Sequence, residues 1–125
     1  MNRNELKDFI AEKYKIDADC PWLRYPNYEV FRHGGNRKWF AVVMDVPKNK
    51  LGLQGDERVS AVNLKCGPAM AGSLLTEKGF FPAYHMSKGS GWITAALDGS
   101  VQDEELELLL DISYRSTAPK ISGKK

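Results

Sequence analysis

The spacing of apolar residues along the chain changes several times, and each change marks an element. Leu6, Phe9, Ile10 and Tyr14 recur at helical intervals, so a helix is expected to about Lys15. Asn2 is placed to cap it, with Glu5 three residues on completing a capping box. Asp17 to Pro26 carries two prolines and reads as a connector, pinned to the body by Trp22 and Tyr25 as packing residues, not ligand-stacking ones. Tyr28 to His33 is rich in strand formers and breaks at Gly34-Gly35-Asn36, and Arg37 to Val46 resumes the pattern, which predicts a hairpin. Strict alternation sets Trp39, Ala41 and Val43 on one face and Lys38, Phe40, Val42 and Met44 on the other. Both faces are apolar near the centre, as in an interior strand. Pro47 to Glu57 reads as an exposed loop.

Arg58 to Lys65 is a third strand, followed at Gly67-Pro68 by a helix that should run to about Lys78 and stop at Gly79. Phe80 to Met86 looks extended, with Pro82 confining it to an edge, and an extended chain would send Tyr84 and His85 to opposite sides. After a turn at Ser87 to Gly91, Trp92 to Leu97 forms the last strand. Asp98-Gly99 then turns into a helix with Leu106, Leu109 and Leu110 inward. Asp103, Glu104 and Glu105 suit that helix's positive N-terminal end. Beyond Tyr114 it should fray. The order α-β-β-β-α-β-β-α predicts an α+β fold, an antiparallel sheet with helices packed on one face. One domain over residues 1–118 and a flexible basic tail over 119–125 account for the chain.

Composition changes this picture little. A chain of 125 residues, 42% hydrophobic and 27% charged, can bury a core without staples. No apolar run approaches the roughly 18 residues that a membrane span needs. Met1 to Leu6 lacks a signal-peptide core, so a cytoplasmic protein is expected, with Cys20 and Cys66 as reduced thiols. Charge is more informative. The net value is only +2, but Arg24 to Trp92 holds ten bases against five acids, while Asp98 to Asp111 holds six acids and no base. A basic face opposite an acidic helix is one reading, and an ordinary mixed surface is the other.

Several strings then align with a known family. Val30-Phe31-Arg32-His33 followed by Lys38-Trp39-Phe40-Ala41 resembles the first hairpin of MmcQ/YjbR proteins. Asn63-Leu64-Lys65-Cys66-Gly67-Pro68 resembles their strand-to-helix junction, usually Lys-Cys-Asp-Pro. Pro82 to Lys88, with Trp92-Ile93-Thr94, is similar to their His-Met-Asn-Lys motif and its nearby Trp. Leu97-Asp98-Gly99 and Ser113-Tyr114 match the closing turn and helix end. The departures are Gly67 in place of an acid, Ser87 in place of Asn, and Gly89-Ser90-Gly91 where a His normally precedes the Trp. The resemblance covers nearly the whole chain. It implies a CyaY-like fold and DNA binding through the sheet and its hairpins.

The chemistry points to binding. Arg32, Arg37 and Lys38 surround a glycine turn, and Lys65 and Lys88 could extend the patch toward phosphates, with His85 and Trp92 shaping the surface beside them. Double-stranded DNA is the expected partner, held weakly and without sequence preference by a monomer. The alternative is a pocket for a small anionic or planar molecule, or a protein, around Tyr84, His85 and Trp92 with Lys65 and Lys88. Cys66 beside Lys65 is a candidate thiolate, but no acid or amide partner completes a catalytic set. A zinc site from Cys20, His33, Cys66 and His85 has no recognised spacing. The acids Asp103, Glu104, Glu105, Glu107 and Asp111 read as a solvated helix face and not as the iron site of CyaY proteins. No catalytic residue, metal or cofactor is assigned.

Overall fold

The computed structural model describes residues 1–22, 24–25, 27–86 and 89–119. Its first helix, α1 (Arg3–Tyr14), begins with the capping box expected at Asn2 and Glu5 and ends with Lys15 in a left-handed conformation. Strands β1 (Glu29–Arg32) and β2 (Trp39–Pro47) form the hairpin, and β3 (Arg58–Lys65) follows a 3-10 turn over Lys48–Leu51. Helix α2 (Pro68–Leu74), strands β4 (Phe80–Pro82) and β5 (Trp92–Ala96), and helix α3 (Asp103–Thr117) complete the chain. All strand pairs are antiparallel, in the spatial order β1-β2-β3-β5-β4. β3 and β5 become neighbours because α2 and β4 carry the chain to the far edge and back.

One face of the sheet holds the main core. Ala41, Val43, Val62, Leu64, Ile93 and Ala95 from the strands meet Leu6 and Ile10 of α1 and Leu106, Leu109 and Leu110 of α3. A smaller cluster on the opposite face joins Met44, Val46, Val59 and Ala61 to Leu51. Leu51 is buried, so the Pro47–Glu57 segment is not simply an exposed loop: its 3-10 turn inserts an anchor. Ion pairs tie α1 to the sheet. Arg3 reaches Glu29 at 3.0 Å and Asp45 at 2.9 Å, while Lys7 reaches Glu29 at 2.7 Å. These partners, together with hydrogen bonds from Lys7 and Arg3, hold the Glu29 carboxyl below its ordinary pKa although burial opposes them.

A β-bulge overturns the expected alternation in β2. Phe31 pairs with Ala41 but Arg32 pairs with Trp39, which leaves Phe40 as an extra residue. Phe40 therefore joins Ala41 and Val43 in the helix-side core, whereas Trp39 turns to the opposite face with Val42 and Met44. The gap is filled from α3. Ser113 Oγ donates to the Phe40 carbonyl at 2.5 Å and accepts from Lys65 N–H at 2.9 Å. His33, also buried, packs its ring 5.2 Å from that of Phe40 and bonds through Nε2 to Thr117 Oγ1 at 2.9 Å. These contacts keep α3 regular to Thr117, past the expected fraying at Tyr114. Residues 120–125, most of the expected tail, lie outside the described residues.

Two further boundaries differ. α2 ends at Leu74, short of Lys78, in turns closed by Ser73 and Leu74 carbonyls. The extended segment covers only Phe80–Pro82, because Tyr84 N–H donates to Thr94 Oγ1 at 2.9 Å and the Tyr84 carbonyl accepts from Asn63 Nδ2 at 2.8 Å. Those bonds turn the chain, leaving His85 at φ 65°.

Candidate functional site

The sheet face turned away from α1 and α3 carries a cavity of about 290 Å³. Val42, Met44 and Asn63 form its floor, and Trp22, Tyr25, Tyr28, Trp39, Tyr84 and His85 supply the walls. The rings touch in series. Trp22 meets Trp39 edge-on at 5.4 Å and Tyr28 at 6.1 Å, Tyr25 lies 5.0 Å from Tyr28, and His85 lies 6.0 Å from Tyr28 and 4.0 Å from Tyr84. Burial, followed by the neighbouring Tyr84 and Tyr25 phenols, pushes the Tyr28 hydroxyl above its ordinary pKa, so it stays neutral at physiological pH. Asn63 is fully buried and is held by Thr94 Oγ1, which donates to its Oδ1 at 2.5 Å.

The sequence does not announce this wall. Tyr84 and His85 reach one cavity together because the chain turns between them, against the expectation for an extended segment. Trp22 and Tyr25 were expected to act only as pins for the connector, yet both line the opening, and Tyr25 is half exposed. The useful signal was the density of aromatic residues between Trp22 and Tyr28, in a stretch with few residues left for a core.

A second depression, shallower and about 340 Å³, lies at the hairpin end of the sheet. Arg37, Lys38, Trp39, Lys65, Trp92 and Thr117 line it. Trp39 therefore borders both concavities. Lys65 and Trp92 are directly opposed on β3 and β5, and Arg37 sits at φ 64° on the turn that presents Lys38. Such a conformation costs a residue with a side chain about 1–2 kcal/mol. Among the described residues, Arg37, Lys38 and Lys65 belong to no ion pair.

Of the five cations named from the sequence, these three come together. Arg32 does not join them. It faces a hollow shared with Asp17 and Asp19, which Arg37 also borders, and it alone of the two arginines pairs with Asp19, at 3.1 Å, because a bridge between Asp19 and Val30 lays the connector along β1. Lys88 lies outside the described residues. Trp92 is separated from Tyr84 and His85. It faces the cationic depression and a third, apolar hollow with Pro68 and Leu75. The acidic first turn of α3 is remote, since a 15-residue helix separates it from Thr117 by about 20 Å, beyond the screening length of physiological salt.

Other chemistry finds little support. Burial pushes the Cys66 thiol above its ordinary pKa, the opposite of an activated nucleophile. Cys20 is exposed and both thiols are free. Among the described residues, no three His, Cys, Asp or Glu side chains gather to hold a metal ion. No helix among them is long and apolar enough to cross a membrane.

A model of the YjbR family matches residues 4–116. The chain belongs to the YjbR family. A Bacillus subtilis (strain 168) relative, YyaQ, is 35% identical over 117 residues, covering 94% of this chain and 98% of its own. A Pseudomonas syringae protein solved by crystallography is 42% identical, with a TM-score of 0.91 over 94% of this chain and all of its own. Its solution structure gives 41% identity and a TM-score of 0.85. A Deinococcus radiodurans protein at 22% identity and a TM-score of 0.72 shares the fold alone. These YjbR relationships fit the α+β architecture described above.

Gly67 and Gly91 form one local feature. The Gly91 carbonyl accepts from Cys66 N–H at 2.8 Å and Gly67 N–H at 3.0 Å. A Cβ on Gly91 would come within 3.1 Å of the Gly67 Cα, and both residues hold positive φ, 93° at Gly67 and 88° at Gly91. The crowding is between backbones, so neither neighbour can swing aside.

Proposed function

We propose that this YjbR-family domain is a non-catalytic, cytoplasmic binding module, working as a monomer, that holds the phosphate backbone of nucleic acids. The observation that carries this reading is the convergence of Arg37, Lys38 and Lys65 on one depression without carboxylate partners among the described residues. Unpaired cations at the rim of a concave surface displace counterions from a polyanion, and that release drives binding without reading sequence. Trp39 and Trp92 beside them offer flat surfaces to sugar or base. Arg32, neutralised by Asp19, takes no part. Free thiols at Cys20 and Cys66 suit a reducing compartment.

Three phosphate contacts set the scale. With a salt slope of about −0.9 per contact, affinity should fall roughly 40-fold between about 50 and 200 mM salt. Titration of a labelled oligonucleotide by fluorescence anisotropy across that range tests this. The double variant Arg37→Glu, Lys38→Glu should bind at least about tenfold more weakly and flatten the salt slope by about 2. An unchanged affinity in that variant would remove the hairpin from the interface. A second reading, a small planar ligand in the aromatic cavity, is favoured by the six ring side chains around it.

A further inference from the structure

We infer that the aromatic cavity is a base-binding subsite, so that the nucleic acid this domain takes is single-stranded, with one unpaired base inserted among the rings while its phosphates lie on Arg37, Lys38 and Lys65. The inference rests on the backbone-binding reading and adds strand form to it. Four features of the surface converge on it.

The cavity has the size of a ring and little more. At about 290 Å³ it falls at the bottom of the range for small-molecule pockets. Its walls are six ring side chains, and its floor combines Val42 and Met44 with the carboxamide of Asn63. A flat, sequence-tolerant guest fits such a lining, because every base has a π-face to stack. An aliphatic guest would not use the rings, and the Asn63 amide is already engaged by Thr94 and Tyr84.

Charge then selects the guest. Among the described residues, the lining of the cavity holds no Lys, Arg, Asp or Glu, whereas the adjoining depression has three cations. Trp39 is the wall between them and lines both. A ligand that spans this wall must be uncharged and planar at one end and anionic at the other. A nucleotide within a strand has that construction.

Duplex DNA does not. Its bases are stacked and paired, and a cavity closed by rings on several sides can take a base only after unpairing, at a cost of a few kcal/mol. Two positions in the surface hold residues with side chains at strained positive φ, Arg37 in the depression and His85 in the cavity. Strain of this kind gathers where a side chain must be aimed. Among the described residues, the other such position, Lys15, is an ordinary helix cap.

The test compares three probes of equal length, roughly ten nucleotides: an oligothymidylate, an abasic strand of the same backbone, and a duplex. All three tryptophans of the chain, Trp22, Trp39 and Trp92, line these concavities, so their fluorescence reports base stacking directly. The oligothymidylate should bind roughly 5- to 150-fold more tightly than the abasic strand and quench that fluorescence, as expected for one stacked base. Tyr25→Ala should weaken the oligothymidylate alone, and Tyr25→Phe should restore it. Equal affinity for the base-bearing and abasic strands would overturn the subsite while leaving the cationic depression in place. Tighter binding of the duplex than of the single strand would do the same. Failure of all three probes to bind at low salt would overturn both readings.

Discussion

The sheet face under α1 and α3 and the face turned away from them are built by alternate residues of the same strands, yet they are finished in opposite ways. Beneath the helices, mostly aliphatic residues from three helices and five strands close a continuous core in which Ile10, Phe40, Val62 and Leu110 are wholly buried. Across the sheet, the strands supply Val42, Met44 and Asn63, and the cover is a partial ring of aromatic side chains from two turns and the start of β2. Aliphatic side chains interdigitate and leave no room, whereas flat rings held edge-to-edge enclose a void. The first face therefore carries most of the fold, while the second, beyond the smaller cluster around Leu51 against which Tyr28 and Tyr84 pack, leaves an open cavity.

The strongest way to break this contrast is at Phe40, the residue that the bulge moves from one face to the other. Its ring contacts those of Tyr14, Phe31, His33 and Tyr114. Phe40→Ala should cost about 3–5 kcal/mol, read as a shift in the urea midpoint. A loss under about 1 kcal/mol would mean that the bulge does not anchor the helix-side core.

The same residue shows where the sequence was legible and where it was not. The capping box at Asn2 and Glu5, the strand Arg58–Lys65 and the inward leucines of α3 are local features, and local rules placed each correctly. Phe40 defeated a local rule. Period-2 alternation assumes an unbroken ladder, and the bulge depends on Ser113, seventy-three positions away, to satisfy the carbonyl that it exposes. The candidate site failed to read for the same reason. Arg32 and Arg37 look equivalent in the string, but only the pairing of Asp19 with Val30 brings a carboxylate to Arg32. Tyr84 and His85 share a cavity because Asn63 and Thr94 bend the chain between them, and no short-range pattern encodes those two bonds.

The two histidines of the chain sharpen the comparison, one on each face. His33 is buried against Phe40 and Tyr114, while His85 lies exposed at the aromatic cavity. Burial lowers the pKa of His33 below its ordinary 6.5, with the Tyr114 carbonyl opposing the shift. Between the lowered folded value and 6.5 the unfolded chain binds the proton that the native one refuses. Stability contributed by neutral His33 is thus fully present above about pH 6.5 and declines as pH falls toward the folded value. The slope is at most about 1.4 kcal/mol per pH unit. Thermal melts at pH 7.5 and pH 5.5 should show a lower Tm at the acidic point, and His33→Asn should reduce that difference. A wild-type Tm that is level over this interval would exclude His33 as the sensitive group.

The smallest expected effect is at Tyr25, and it is the one that separates folding from function. Its ring is 48% exposed and stands over the cavity, touching Tyr28 on one side and water on the other. Removing a half-exposed wall residue from a void that already exists creates no new hole in the core, so Tyr25→Ala should change stability by no more than about 0.5 kcal/mol. A loss of several kcal/mol in a urea titration would show instead that the ring is structural packing, and the open face would then be as much a core as the covered one. With the expected near-neutral result, any loss of oligothymidylate affinity in the same variant must come from the surface that the ring presents to its ligand.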